Sequence, residues 1–328
     1  MKRAMTKTDN SGMIIDLNPS LASFQKDVLT GLSRNPKVIA PKHFYDERGS
    51  RLFNTITTLS EYYPTRTEKR ILRDQSAAIA AAIGTSASLV ELGCGSEEKI
   101  ELLISAVPMV KSYTPIDISL SAVEDTVSKL KIVCPGLHIY GLCADYTSST
   151  DFLQYTASGR RVILFLGSTI GNFEELERHM FLENLRAQLS PDDGILIGID
   201  LVKERAVLEA AYNDTSGVTA EFNLNMLERM NRELGAAFEV EKFRHTAFFN
   251  EEKSSIEMHL ESITDQIVEV AGKSFTFMAG ETVHTENSYK FHVEAFEKEA
   301  LEAGLSLKKV WKDPQGWFAL TYLEAAGK

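Results

Sequence analysis

The densest chemical signal in the chain is Glu91-Leu-Gly-Cys-Gly95, inside the run Leu89-Val-Glu-Leu-Gly-Cys-Gly-Ser-Glu-Glu-Lys99. Residues 89–92, apolar apart from Glu91, read as a buried strand, two glycines follow at once, and a helical pattern begins near Glu97. A corner of this kind lets a ligand approach the main chain, because glycine has no Cβ to block it and tolerates positive φ. The helix start adds unpaired N–H groups and a partial positive charge. Gly93 and Gly95 are therefore candidate ligand contacts; the plain alternative is a structural turn.

Two cofactor classes use such a corner. A dinucleotide wants a third glycine, G-x-G-x-x-G, over its pyrophosphate. Here that position is Glu98, which brings bulk and negative charge. Glu91 stands where the E/D-x-G-x-G motif of S-adenosylmethionine (SAM) enzymes has its carboxylate, so SAM is the expected cofactor. Two more acids fit. The strand expected over 112–118 carries Asp117 at its tip, where a carboxylate can accept from both hydroxyls of a ribose. A third strand, 138–143, runs into Asp145 and Tyr146, an acid and a ring suited to an adenine; a surface aspartate is the alternative.

The elements that carry these residues alternate β and α. The run 161–166 is apolar from Val162 onward, as suits a strand buried on both faces. It leads to Gly167-Ser-Thr-Ile-Gly-Asn172, at the strand end where open α/β sheets bind ligands. Asn172 there offers both a donor and an acceptor. A helix over 173–189 and a strand over 195–201 complete a doubly wound parallel sheet. Beyond residue 204 the rhythm changes to a helix over 220–234 and β-like runs at 243–250, 255–262, 266–270 and 275–278, an antiparallel lobe. The polar stretch 279–290 reads as a loop. A helix over 291–303 and a hairpin of 305–311 with 318–323 follow.

Ahead of the sheet, residues 1–13 read as loose and 21–32 as a helix. Glu61-Tyr-Tyr-Pro-Thr-Arg66 reads as a loop in which Pro64 drives Tyr63 away from helical φ/ψ. Its tyrosines and arginine suit a substrate lid. Two domains are thus expected: a substrate lobe from 14–68 and 204–290, and a SAM-binding domain from 69–203 and 291–328.

Composition excludes several classes. Of the 328 residues, 44% are hydrophobic and 25% charged, as in an ordinary soluble globular protein. A formal net charge of −11 argues against a nucleic-acid groove. No apolar run is long enough for a membrane span, and no hydrophobic segment follows Lys2 and Arg3, as a signal peptide would require. The three cysteines, Cys94, Cys134 and Cys143, have no metal-ligand spacing and suit reduced thiols in a cytoplasmic protein. The seven histidines show no metal-ligand cluster, so no metal is expected. The expectation is a cytoplasmic monomer acting on a small molecule, with no nucleic-acid or membrane partner.

Taken together, Phe44-Tyr-Asp-Glu-Arg-Gly-Ser50, Glu61-Tyr-Tyr-Pro-Thr-Arg66, Glu91-Leu-Gly-x-Gly95, Leu166-Gly-Ser-Thr-Ile-Gly-Asn172 and Thr285-Glu-Asn-Ser-Tyr-Lys290 stand in order along the chain. With them the chain resembles the histidine Nα-methyltransferases of ergothioneine biosynthesis, which make trimethylhistidine (hercynine). The resemblance runs from about residue 20 to the C-terminus. It implies a class I SAM methyltransferase sheet closed by the terminal antiparallel hairpin, with an inserted α+β substrate-binding lobe. It also implies SAM contacts at Gly93, Gly95, Lys99, Asp117, Asp145 and Tyr146. The amino-acid head group falls to Asn172, Tyr212 and Tyr63, and the imidazole to Glu286 and Ser288, with Asn287 between them. The corner departs from the family in Gly-Cys-Gly-Ser-Glu-Glu, where small hydroxyl residues are usual.

Methyl transfer from a sulfonium to an amine needs alignment more than a protein nucleophile. It also needs the amine deprotonated, and Tyr45 and Tyr63 are the candidate catalytic proton acceptors. Tyrosine faces would suit the final quaternary ammonium. Met258 is placed beside the imidazole; ordinary core packing is its alternative. A carboxylate at Glu286 would reject side chains that leave it unpaired. Two other readings remain: methylation of another amino acid, such as a tryptophan derivative, and a SAM-binding regulator without turnover. An NAD enzyme is disfavoured by Glu98.

Overall fold

The structure, a computed structural model, describes residues 5–9, 12–17, 21–95, 97–147 and 151–327, so that Ser96 of the glycine corner lies outside them. The chain forms two compact units, one of Met1–Asn18, Pro64–Val202 and Lys290–Lys328, the other of Pro19–Tyr63 and Lys203–Tyr289.

The first unit is built on a nine-stranded sheet. Its spatial order is Met5–Asp9, Gly12–Asp16, His138–Cys143, Ser112–Asp117, Ser88–Leu92, Arg161–Phe165, Gly194–Asp200, Phe318–Ala325 and Leu305–Lys312. The strands from Gly12–Asp16 to Gly194–Asp200 run parallel to one another, and the C-terminal hairpin joins antiparallel. Ser88–Leu92 and Gly194–Asp200 are buried along their whole length. Strands covered on both faces read as largely apolar runs, and here the exceptions are Ser88, Glu91 and Asp200. From Ser88–Leu92 the chain first winds outward through Ser112–Asp117 and His138–Cys143. It then returns to the other side of Ser88–Leu92 with Arg161–Phe165. That reversal opens a crevice at the C-terminal tips of the strands, where such sheets bind ligands.

Two expectations for this unit need correction. Met5–Asp9 and Gly12–Asp16, expected as a loose tail up to residue 13 and as part of the lobe from 14, are paired strands, and Gly12–Asp16 also pairs with His138–Cys143. Ile14 is buried there, and the missing Cβ of Gly141 gives its side chain room. Residues 14–16 therefore belong to the sheet and not to the lobe. The segment around Pro64 is likewise not a loop but the start of the helix Tyr63–Asp74. Proline in a first turn loses no hydrogen bond, because that N–H has no helical partner.

The second unit contains a four-stranded sheet in the order Lys37–Val38, Thr282–Tyr289, Ser255–Ser262, Phe243–Asn250, and a separate hairpin of Gln266–Val270 with Lys273–Phe277. The helix Val218–Leu234 packs on the larger sheet. Its N-terminus is capped by Asp214, whose carboxylate accepts the N–H groups of Val218 (2.9 Å) and Thr219 (2.8 Å). The stretch expected as a polar loop is instead the strand Thr282–Tyr289, flanked by partners on both sides. Polar residues hold a buried strand here because the main chain is satisfied by its neighbours and side chains such as Thr285 find partners of their own.

Candidate active site

In the first unit the corner after Ser88–Leu92 is as tight as its glycines require. Gly93 has φ +80° and its N–H donates to the Ile116 carbonyl at 2.8 Å, which ties the corner to the next strand. A Cβ on Gly93 would stand 3.3 Å from the Tyr146 hydroxyl, whereas Gly95 has open space where its Cβ would be. The corner thus brings Gly93 and Tyr146 together and leaves Gly95 facing a gap. Tyr146 is fixed by an edge-on contact with Phe165, centroids 5.8 Å apart, and burial holds its phenol far above the usual pKa.

Asp117 ends its strand and takes the Ser119 N–H at 2.8 Å. Loss of water pushes its carboxyl up to about 6, against the pull of main-chain N–H donors at Ser119, Ile118 and Cys94. The Ala144 N–H donates to the Asp117 carbonyl at 2.8 Å, so the tips carrying Asp117 and Asp145 lie side by side. Asp145 accepts from the Thr147 N–H at 3.0 Å. Glu91 is buried, and burial raises its carboxyl to about 7, with the Tyr113 hydroxyl donating to it. Lys99 is buried as well, paired with Glu68 at 2.6 Å. Glu68 had no sequence signal, since it sits on a helix among other charged residues.

Asn172 closes a 3-10 turn, Thr169–Asn172, entered through two left-handed residues, Gly167 (φ +75°) and Ser168 (φ +58°). The strained Ser168 is retained because its Oγ accepts the Asp200 N–H at 2.8 Å. Asp200 in turn forms a buried ion pair with Lys290 at 2.9 Å.

These residues fit SAM. An open Gly95, a helix start, acids at two adjacent strand tips and a ring beside Gly93 are the donor and acceptor set of its amino acid, ribose and adenine.

In the second unit the strand Thr282–Tyr289 sorts its own residues. Glu286 lies opposite Met258 and Ser288 opposite Ile256, whereas Asn287 lies opposite Glu257. Directly paired residues share a face, and neighbours in a strand alternate. Glu286, Ser288 and Met258 therefore stand on one face and the Asn287 side chain on the other. This separates Asn287 from the two residues it was grouped with. All four are buried.

Tyr212 reaches that face, donating its hydroxyl to Ser288 Oγ at 2.7 Å. Its main chain is held as well: the His245 Nε2–H donates to the Tyr212 carbonyl at 2.9 Å, and Asn223 donates to His245 Nδ1 at 2.9 Å. That pattern makes His245 a neutral ring, and burial lowers its pKa accordingly. Asn223 also accepts from Thr285 at 2.8 Å. Asn223 and His245 escaped sequence reasoning because a polar residue on an apolar helix face or strand carries no periodic signal, whereas Thr285 opens the motif that runs to Lys290.

Tyr63 is fully buried; Lys203 donates to its hydroxyl at 2.8 Å and lies 4.3 Å from its ring centroid. Tyr45 packs edge-on against Phe53 and Phe222, at 5.6 and 5.8 Å.

One histidine cluster is assembled by the fold, contrary to the sequence reading: ligand atoms of Glu257, His259 and His284 lie within 4.8 Å of one another. The two imidazoles are stacked, centroids 4.8 Å apart and 29° from parallel. Both Nε2 atoms have protein partners, His284 Nε2 lying 3.0 Å from the Glu286 carbonyl oxygen and His259 Nε2 3.2 Å from a Glu257 carboxylate oxygen.

The sheet order, the crevice at the strand tips and the glycine corner define a class I, Rossmann-like SAM-dependent methyltransferase. The model of the histidine-specific, SAM-dependent methyltransferases matches residues 24–325, and the chain belongs to that family. It is 42% identical over 304 residues to a histidine N-alpha-methyltransferase of Mycolicibacterium smegmatis, covering 91% of this chain and 94% of that one. The corresponding Mycobacterium tuberculosis protein is 41% identical with the same coverage. An L-tryptophan methyltransferase of Psilocybe serbica is 26% identical, covering 91% of this chain and 92% of that one. Among the described residues no helix is long and apolar enough to cross a membrane.

Proposed function

We propose that this chain methylates the α-amine of L-histidine three times, yielding hercynine for ergothioneine biosynthesis. The observation that carries the reading is the face shared by Glu286, Ser288 and Met258, with Tyr212 bonded to Ser288, in a chain of the histidine-specific family. SAM supplies the electrophilic methyl group.

The first unit does the cofactor's work. Gly93 and Gly95 admit it to the main chain, Asp117 accepts from its ribose, and Asp145 with Tyr146 takes the adenine. Lys99 attracts its carboxylate. Asn172 holds the amino-acid head group through an amide, which binds a carboxylate without claiming the amine's lone pair.

The second unit supplies selectivity. Glu286 accepts an imidazole N–H, Ser288 contributes a second polar contact, and Met258 packs beside the ring. Tyr212 binds the head group, its hydroxyl already ordered by Ser288. Asn287 contributes its main chain to this edge, because its side chain points away. Tyr63 takes the proton from the substrate ammonium. The adjacent Lys203 cation favours a negatively charged phenolic oxygen, which suits Tyr63 to that role. The protein works as a cytoplasmic monomer on a small molecule.

Mass spectrometry of histidine incubated with the protein and SAM tests the reading. Three successive methyl additions on the α-amine are expected, with tryptophan left unmodified. Methylation of tryptophan in preference to histidine would transfer the assignment to that branch of the family, and binding without methylation of either would make the protein a regulator.

A further inference from the structure

Gly198 lies in the middle of the buried strand Gly194–Asp200, a position where glycine weakens a sheet unless something must come close. A Cβ there would stand 2.2 Å from the Glu68 carboxylate. The Glu68 side chain is completely buried, and both its oxygens accept the Gly167 N–H at 3.0 Å. One of them also meets the Lys99 ammonium at 2.6 Å. Gly167 serves through its left-handed φ of +75°, and a Cβ on it would be in ordinary contact with Lys99 Nζ at 3.4 Å. The missing Cβ of Gly198 thus leaves room for the carboxylate of this ion pair, and the turn that starts at Gly167 supplies its main-chain donor.

A fully buried carboxylate is costly unless donors surround it. Glu68 meets that condition with one cation and one main-chain N–H, taken from two different ligand-facing segments. Lys99 lies in the first turn of the helix Glu97–Ala106, just past the glycine corner. Gly167 begins the turn that ends in Asn172. We propose that Glu68 is a positioning residue for SAM binding: it anchors the Lys99 ammonium beside the Gly167 turn, so that the remaining N–H groups of Lys99 are presented to the cofactor's carboxylate. The inference rests on the reading of Lys99 as a cofactor contact.

The chemistry separates a positioning role from mere packing. Glutamine matches glutamate in shape but has one acceptor oxygen, so its amide NH₂ must oppose either Gly167 N–H or Lys99. In the first orientation Lys99 keeps only a neutral amide oxygen, in the second it loses its acceptor; either way the charge that anchors the ammonium is gone while the volume is kept.

Isothermal titration of S-adenosylhomocysteine into the full chain provides the test, read beside the thermal melting of each variant. Lys99→Met and Glu68→Gln are each expected to weaken binding by about tenfold or more, the scale of a lost charge-assisted hydrogen bond. In the double variant the loss should stay within about twofold of the worse single variant, because the second change removes nothing that still functions. Wild-type affinity in folded Glu68→Gln, or losses that multiply, would overturn the proposal. Glu68→Asp keeps the charge but draws the carboxylate back by one methylene, and covers the case in which the glutamine variant does not fold. It too must weaken binding, and that loss must vanish beside Lys99→Met; unchanged affinity rejects the role. A wild-type chain that does not bind S-adenosylhomocysteine would remove the cofactor reading itself, whatever the Glu68 variants do.

Discussion

The Tyr212 hydroxyl donates to Ser288 Oγ at 2.7 Å across 76 residues of sequence. One partner follows a short helix and the other ends a strand, and both are buried. The hydrogen bond sets the direction of the tyrosine oxygen before any ligand arrives, and the His245 and Asn223 network holds the main chain beneath it. Preorganisation of this kind lowers the ordering cost of binding. Tyr212→Phe and Ser288→Ala should each lower stability by about 1 kcal/mol. Their double variant should show positive coupling in chemical denaturation, since the two changes break the same bond.

Glu286 and Asn287 are neighbours in sequence on opposite faces of one strand. Glu286→Leu should raise the KM for histidine by about 100-fold, as loss of a buried charge-assisted hydrogen bond does. Asn287→Ala should change it by about threefold at most. Steady-state kinetics with saturating SAM would check both, and equal effects would contradict the facing read from the register.

Tyr63 and Lys203 form a hydrogen-bonded pair at 2.8 Å. Removing a general base costs about 10²–10⁴ in rate, so Tyr63→Phe should lower kcat at least 100-fold with S-adenosylhomocysteine binding intact. Lys203→Met should move the rising limb of the pH–rate profile to higher pH, because the phenolate loses its stabilising cation. Lys203→Arg should restore the limb.

The Asp117 carboxyl titrates near 6 in the folded protein. A protonated carboxyl is a poorer acceptor for ribose hydroxyls, so affinity for S-adenosylhomocysteine should fall as the pH drops below about 6. Asp117→Asn should bind weakly at every pH and lose that dependence. Titrations at pH 5 and 7.5 distinguish the two behaviours.

Burial raises Glu91 from 4.5 to about 7. Between those values the folded chain keeps a proton that the unfolded chain has released. The Glu91 contribution to stability is therefore fully present below about 4.5 and is lost as the pH rises towards 7. Glu91→Gln cannot ionise, so relative to wild type it should gain stability over that window, on the order of a few kcal/mol. Denaturant unfolding of both proteins at pH 5 and 8 would measure the difference.

Much of the first unit was legible because its signals are local. Apolar runs mark the strands Arg161–Phe165 and Gly194–Asp200, glycines mark the corner, Asp117 announces itself by ending a strand and Asp145 by following one. The second unit was less so. The strand Thr282–Tyr289 carries polar residues that read as loop, and its pairing with Lys37–Val38 and Ser255–Ser262 depends on partners far away in sequence. Pro64 gave the wrong sign for a related reason: the rule against helix before proline does not apply when the proline opens the helix itself.

By itself the sequence determined the doubly wound sheet, the glycine corner and the identity of the groups that could serve a SAM enzyme, because each depends on spacing within a few dozen residues. Only the tertiary structure decided how those groups are held. It placed Glu286 with Met258 and Asn287 on the other face, joined Tyr212 to Ser288, and buried Lys99 against Glu68. Such decisions belong to the three-dimensional chain because hydrogen bonds and ion pairs act over a few ångströms, a distance that sequence separation does not measure.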